Sequence, residues 1–375
     1  MISFQKTKLR VTKQSLSQSP KMTIVAILHA LTDTEEFLSH LLNMGHEVPV
    51  IFAKPFSKKP DVIARIERSG IRVEQLDYET LEGTSILSET ITQQLKQASY
   101  PLVLIDVGGY FAQPLIELAK QKKQLPSGVL EVTTFGHNKY AEAKDQIKVP
   151  ILSIARSEIK DVEATFVGES AWLATDSILR QVGVSAFGKK VGIVGYGMIG
   201  RRVAAAAKAN GVHTLVYDTN ALKLLEARSH KHEIALTMPQ LMAQSDIVIS
   251  ATGTQAISLA DVSDAPDGIV LASAGSKANE IDIKGIRKRA KESDHLSSQL
   301  TSYTMPSGKK VLVMRNAEAV NFLIGSCPDE TMDLVFAEQL EGCKRLVENS
   351  LCLHVLNEVP DSVRQRIAKA WLTHQ

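Results

Sequence analysis

Through the first half of the chain, short apolar runs alternate with amphipathic stretches. Residues 23–28 (TIVAIL) read as a buried strand, followed by a helix over 32–44 that Gly45 ends. Runs at 47–53, 71–75, 102–107, 128–133 and 150–154 repeat the strand signal. Helical spacing fills 59–69, 84–98, 112–122, 137–147 and 157–181. Strand and helix alternating at this interval predict βαβ units and a mainly parallel sheet. The pattern pauses between Gly183 and Gly188, where a hinge or domain boundary is expected. It restarts with a strand at 190–195, a helix at 198–210, and strands at 213–217, 246–251 and 268–272. Beyond about residue 330 the chain turns helical and closes with 361–373. The expected architecture is α/β, with two doubly wound parallel-sheet domains and a cleft between them. Residues 1–20 form an arm, 21–182 with a returning 346–375 form the first domain, and 183–345 form the second.

The restart carries the most specific motif. Gly195, Gly197 and Gly200 give G-x-G-x-x-G directly after a predicted strand and at the start of a predicted helix. In that context Gly195 permits a tight turn, Gly197 lets backbone approach a pyrophosphate, and Gly200 lets helix and strand pack closely. Met198, Ile199 and Gly200 then offer the N–H groups and positive dipole end of a helix to phosphates. Asp218 ends the next strand roughly 20 residues on, where a carboxylate binds ribose hydroxyls and repels a 2′-phosphate. The second domain is therefore read as a Rossmann domain for NAD rather than NADP. Thr252 and Gly253, and Ala274, Gly275 and Ser276, follow two later strands, where small residues let a nicotinamide ribose lie against backbone.

Composition narrows the partners. The chain has 375 residues, enough for about two domains. Its net charge of +2 gives no electrostatic case for nucleic acid. Cys327, Cys343 and Cys352 lack disulfide or metal-ligand spacing, so no metal site is expected and a reducing cytoplasm is the default. The first twenty residues are polar and no apolar run reaches 18, so neither a secretory signal nor a membrane span is read. His230 and His232 fall in a charged stretch (RSHKHE), read as a solvated loop.

With these motifs in order, the chain resembles S-adenosylhomocysteine hydrolases from about residue 20 to 370. Leu28-His29, Phe56-Ser57, the run Leu104 to Gly109 (LIDVGG), the run Glu131 to Gly136 (EVTTFG), and Lys148 and Pro150 ahead of Ser157 and Lys160 all resemble family segments. So do Ala319-Val320-Asn321 and the tail from His354 to Asp361. The resemblance implies tightly bound, recycled NAD, which oxidises a ribose 3′-hydroxyl before elimination and addition at C5′. It implies a homo-oligomer, a dimer or tetramer, with a small nucleoside-like substrate. It assigns Thr133 and Thr134 to the nicotinamide ribose and Asn321 to the carboxamide end of NAD.

The departures concern polar groups. Val107 and Val132 stand where the family has Asp and Glu, Ala164 and Thr165 where it has Asp-Asn, and Ser276 where it has His. Hydrocarbon in place of a hydrogen-bond acceptor cannot hold the same substrate in the same way, which argues against ordinary S-adenosylhomocysteine hydrolysis. Lys160 is the leading candidate base, and His29, after a buried strand, a candidate acid or base near neutral pH. Asp106 would orient a lysine, bind a hydroxyl or cap a turn. Asp33 is read as a helix cap, Glu131 and Glu163 as possible replacement carboxylates, and Cys327 as a packed residue. Three functions stay open: an adenosylhomocysteinase-like enzyme on an altered nucleoside, a non-catalytic NAD-binding regulatory paralogue, and a simple NAD-dependent dehydrogenase.

Overall fold

The computed structural model describes residues 9–17, 19–275, 280–348 and 351–373. Along the chain the strands are β1 (Thr23–Ala30), β2 (Glu47–Lys58), β3 (Arg72–Glu74), β4 (Leu102–Asp106), β5 (Gly128–Glu131), β6 (Ile151–Ser153), β7 (Lys190–Val194), β8 (His213–Tyr217), β9 (Glu233–Ile234), β10 (Ile247–Ser250), β11 (Ile269–Ser273), β12 (Glu292–Ser297), β13 (Leu300–Thr304), β14 (Lys310–Met314) and β15 (Leu356–Asn357). They form two sheets in two compact units. Residues up to Lys160 and from Asp329 onward make one unit, and Asp161–Pro328 make the other.

The sheet of the first unit has the order β15-β6-β5-β4-β1-β2-β3, with every neighbouring pair parallel. β1 and β4 are the central neighbours and are apolar on both faces, as strands covered by helices on each side must be. The strand order reverses between β1 and β4. In such sheets ligands bind beyond the carboxyl ends of the strands at that reversal. One face is covered by the helices Thr32–Asn43 and Asp329–Val347, where Phe37 stacks on Phe336 with ring centroids 4.5 Å apart.

The sheet of the second unit runs β12-β13-β14-β11-β10-β7-β8-β9. Its β9-β8-β7-β10-β11-β14 part is parallel and repeats the strand order of the first sheet, which is the doubly wound dinucleotide-binding order. An antiparallel ribbon of β12, β13 and β14 extends one edge. The sequence pattern did not predict that ribbon, because β12 (ESDHLS) is mostly exposed and lacks apolar alternation.

Two boundaries differ from the sequence expectation. The first division falls at Lys160 rather than 182. Along the helix Glu158–Gln181, the residues Ala171, Trp172, Ala174, Ile178 and Leu179 are buried in the core of the second unit. The second falls at Pro328 rather than 345, since Leu334, Val335, Phe336, Ala337 and Leu340 are buried in the first core. The N-terminal arm is likewise corrected from Leu9 onward. A helix spans Arg10–Leu16, Leu9 and Val11 are buried, and the Asp333 carboxylate accepts the N–H groups of Val11 (3.0 Å) and Thr12 (2.8 Å). The polar appearance of the segment misleads because its backbone donors find an acid more than 300 residues away.

Candidate functional site

The N-terminal unit gathers its candidate residues at the carboxyl ends of β1, β2, β4 and β5. His29 lies one residue before the end of β1, and its Nδ1 hydrogen-bonds the Ser57 hydroxyl of β2. Burial, then the charges of Lys54 and Lys160, hold the imidazole well below its ordinary pKa. His29 is therefore neutral at pH 7 and available as a proton acceptor.

Lys160 stands in the first turn of the helix Glu158–Gln181. Its N–H donates to Ser157 Oγ (3.1 Å), and that hydroxyl donates to Glu338 Oε2 (2.7 Å). Glu338 is fully enclosed, and its other oxygen accepts Arg364 Nε at 2.9 Å. Burial raises the Glu338 pKa, while Ser157, Arg364 and Lys160 oppose the rise. The sequence reading missed Glu338 and Arg364, because they lie 181 residues beyond Ser157 and 206 beyond Glu158 in the chain and show no local motif. Asp33 lies in the first turn of the helix Thr32–Asn43, whose N-cap position is Leu31.

Asp106 and Glu131 are both sealed from solvent. Asp106 Oδ2 accepts the Phe111 N–H (2.8 Å) and the Tyr140 hydroxyl (2.7 Å), the bonding of an aspartate that closes a turn. Glu131 is not a surface group. Its Oε1 accepts the Thr133 N–H (2.6 Å), the Thr133 hydroxyl (2.7 Å) and the Gly108 N–H (3.3 Å), and its Oε2 accepts the Gly109 N–H (2.9 Å). Thr133 in turn caps the helix Thr134–Ala143 through Gly136 N–H. Burial raises the pKa of both acids, and Asp106 adds to the effect on Glu131, pushed up to about 8. This pair fixes the Gly108–Gly109 turn and the start of the next helix, and so positions the groups around it. Val107 and Val132 are buried in the same core.

In the second unit, Gly195 takes a φ of 90° and donates its N–H to Tyr217 O (2.8 Å), which makes the turn after β7. A Cβ at Gly200 would stand 1.9 Å from Gly195 O, so the helix Met198–Ala209 rests directly on that turn. A Cβ at Gly197 would meet nothing within 4 Å. Gly197 is the N-cap and no side chain caps the helix, which leaves Met198 and Ile199 at an uncovered positive end. Asp218 follows β8, its Oδ2 accepting Tyr196 N–H (2.7 Å) and its Oδ1 accepting Asn220 N–H (2.8 Å). Asn321 is buried with Nδ2 donating to Ser326 Oγ (2.7 Å), while its Oδ1 has no hydrogen-bond partner. An enclosed acceptor without a donor is costly and fits a ligand amide. The open flank, uncapped helix, ribose-side carboxylate and waiting acceptor together suit a dinucleotide.

Glu280 organises the far side of this site. It is fully buried, and its carboxylate accepts the N–H groups of Thr252 (3.0 Å) and Gly253 (2.9 Å) and the hydroxyl of Ser250. Burial raises its pKa against those donors. The N–H groups of Thr252 and Gly253 are thus held by this acid, which shapes the loop. Ala274 is buried and Gly275 N–H donates to Ser273 Oγ (3.3 Å), whereas Ser276 lies outside the described residues. Nothing around Glu280 in the sequence announces a buried acid. His232, read as part of a solvated loop, is buried instead: its Nδ1 sits 2.6 Å from Thr214 Oγ1, and burial lowers its pKa to about 4. Among the described residues no cluster of His, Cys, Asp and Glu suits a metal, and no helix is long and apolar enough to cross a membrane.

Residues 170–327 match the family described as S-adenosyl-L-homocysteine hydrolase, NAD binding domain. The similarity continues over the rest of the chain. An adenosylhomocysteinase of Pyrobaculum aerophilum is 29% identical, covering 92% of this chain and 83% of that protein. This chain is similar to S-adenosyl-L-homocysteine hydrolases over most of its length, and a divergent member of that family is consistent with the similarity. The family's glycine motif is intact here, and the cofactor is NAD. An S-inosyl-L-homocysteine hydrolase of Methanopyrus kandleri is 26% identical over 93% of this chain and 82% of its own length. Among solved structures, the apo D-lactate dehydrogenase of Escherichia coli superposes with a TM-score of 0.51 at 14% identity, covering 88% of this chain and 98% of that one, a likeness of fold alone.

Proposed function

We propose that this chain is an NAD-dependent enzyme that oxidises a secondary hydroxyl of a nucleoside-like substrate, the ribose 3′-hydroxyl, with elimination and addition at C5′ as the following steps. The observation that carries this reading is that His29 and Lys160 lie close enough for the lysine's charge to lower the pKa of the imidazole. Two groups able to move protons, one neutral at pH 7, are what a hydroxyl oxidation followed by proton loss from carbon requires. NAD, when bound, supplies the hydride acceptor. Lys160 contacts the hydroxyl, serving as its base only once it has shed its own proton, and His29 serves the second proton transfer. The Ser157–Glu338–Arg364 chain fixes the turn that presents Lys160, and Asp106 with Glu131 fixes the opposite wall. Thr133 and Thr134 are proposed contacts to the nicotinamide ribose, and Asn321 to its carboxamide.

The relatives named above act on S-adenosyl- and S-inosyl-homocysteine, so the family accommodates more than one base. Val107 and Val132 are packed in hydrocarbon here, which favours a substrate other than those thioethers and also keeps a second reading alive, NAD binding without turnover. One experiment separates them. The purified protein is denatured and released NAD⁺ and NADH are assayed, and then intact protein is mixed with nucleosides while absorbance at 340 nm is followed. Tight NAD reduced by a nucleoside supports the enzyme. Tight NAD that no hydroxyl substrate reduces supports the binding protein. Cofactor lost on dialysis, with net turnover of added NAD⁺, marks a simple dehydrogenase, and no NAD at all defeats every one of these readings.

A further inference from the structure

We propose that the unit Asp161–Pro328 carries a second binding site, separate from the dinucleotide site, which takes a phosphate group, free or as a small monoester, along the helix Met198–Ala209. A cavity of about 360 Å³ opens there. Arg201, Arg202 and Lys208 of the helix line it, and Tyr196, His230 and His232 complete its wall. Its charged lining is therefore wholly basic, and Gly195, Gly197 and Asp218 take no part in it. Sites for small molecules run from roughly 300 to 1,000 Å³, so the space admits an organic body as well as a bare ion. The helix pattern leaves its floor open. Ala205 lies one turn beyond Arg201 and Ala209 one turn further, so methyl groups separate the arginines from Lys208.

The acids nearby do not cancel these charges. Asp161 accepts Arg201 and also Arg202 Nη2 (3.1 Å), and Glu226 accepts Arg201 Nη1 (3.4 Å) and Lys223 Nζ (2.6 Å). Two carboxylates thus serve three cations, and neither lines the cavity. Arg202 keeps Nη1 without a partner among the described residues. Lys208 stands outside the pairing altogether. Its Nζ donates to the carbonyls of His230 (3.0 Å) and Lys231 (2.8 Å), and among the described residues it has no carboxylate partner. Those neutral acceptors fix the ammonium at the cavity and leave its charge whole.

The two histidines add neutral donors. Tyr196 has no exposed surface, and its hydroxyl lies 2.9 Å from His230 Nδ1. Thr214 is buried, and its hydroxyl lies 2.6 Å from His232 Nδ1. A buried O–H turned away from its ring would be orphaned, so each hydroxyl donates to Nδ1. The ring proton of both histidines then sits on Nε2, as an N–H that a ligand oxygen can accept. Burial, then the charges of Lys208 and His230, hold the His232 pKa at about 4, which keeps that ring a neutral donor. Guanidinium, ammonium and imidazole donors around one space suit the three oxygens and double charge of a phosphate better than the two oxygens of a carboxylate. The His-x-His pair at 230 and 232 thus gains a role that its charged stretch of sequence does not announce.

The test is calorimetric titration of the NAD-loaded protein, whose pyrophosphate site is already filled, at constant ionic strength. The probes are inorganic phosphate, phenyl phosphate and, as a carboxylate control, phthalate. None has an alcohol to oxidise, so the outcome does not depend on turnover. Both phosphates are expected to saturate and to bind at least about tenfold tighter than phthalate. Tighter phenyl phosphate identifies a monoester as the ligand, and tighter inorganic phosphate the free ion. Lys208→Met and Arg202→Met should each weaken phosphate binding by about tenfold, the loss of one charge-assisted hydrogen bond, and leave NAD per chain unchanged. Should Lys208→Met fail to fold, Arg202→Met and the exposed His230→Ala carry the test. Four results overturn the proposal: no saturable binding of either phosphate, phthalate bound as tightly, phosphate binding that survives both Arg202→Met and His230→Ala, or loss of NAD in step with loss of phosphate.

Discussion

Replacing Glu280 by Gln tests how the cofactor domain is held open. The carboxylate offers only acceptors, and its Oε1 and Oε2 meet the N–H groups of Gly253 and Thr252 at 2.9 and 3.0 Å, with the Ser250 hydroxyl beside them. An amide keeps one acceptor and turns an NH₂ group toward another donor. One charge-assisted bond is lost and one buried N–H is orphaned, a cost of about 3 kcal/mol. For the unit Asp161–Pro328, this lowers the unfolding temperature by about 6–12 °C. The loop after β10 then loses its anchor, and NAD retention should fall with it. Differential scanning calorimetry and NAD released per chain on denaturation read the two effects. A Gln variant that unfolds within a degree of the parent and keeps its full complement of NAD refutes the claim that the carboxylate organises this loop.

Gly197→Ala should fold with unchanged thermal stability, because its new Cβ meets nothing, yet lose NAD by blocking the pyrophosphate approach; Gly200→Ala should lose about 1–3 kcal/mol of stability as well as NAD, since its Cβ would stand 1.9 Å from a backbone oxygen. Equal stability of the two variants in chemical denaturation would contradict this. Asp218→Ala should weaken NAD binding by about tenfold and narrow the preference over NADP, measured by titration of the apoprotein with each dinucleotide. The folded-state pKa of Glu131 lies above its unfolded value, so the folded form holds the proton more tightly. Stability of the N-terminal unit is full below about pH 4.5 as far as this group is concerned. It falls by up to about 1.4 kcal/mol per pH unit toward pH 8. Urea titrations across that window should show the slope in the parent and a shallower one in Glu131→Gln, where Asp106 still titrates above its unfolded value.

Most of this architecture is legible in the chain, because a doubly wound sheet writes itself as apolar runs closed by glycine. β1, β4, β7 and β8 fall where apolar pattern and turn residues agree, and the glycines at 195, 197 and 200 lie at the strand-to-helix turn their spacing requires. What stays hidden depends on partners distant in sequence. The strand read as ending at Ala53 continues to Lys58, and the lysine at 54 looks like a strand terminus until β1 and β4 place it at the centre of the sheet. Leu9, Val11 and Thr12 lie in a polar run, and only Asp333 explains their burial. Glu280 has no periodic neighbours at all. Polar residues enclosed by remote donors leave no local trace, and here they are the residues that shape both sites.

The discontinuous first unit also fixes an order of events during synthesis. The NAD unit is one uninterrupted stretch ending at Pro328, whereas β1 to β6 emerge early and then wait for the helices from Asp329 onward to cover their sheet. At about 5–20 residues per second, the interval between Lys160 and the last helix is on the order of 10–40 s. For that time the first strands and the Arg10–Leu16 helix are on the ribosome without Phe336, Leu340 or the Asp333 carboxylate. The NAD-binding unit, second in the chain, is thus the first to be complete, while the sheet of the first unit still lacks its covering helices.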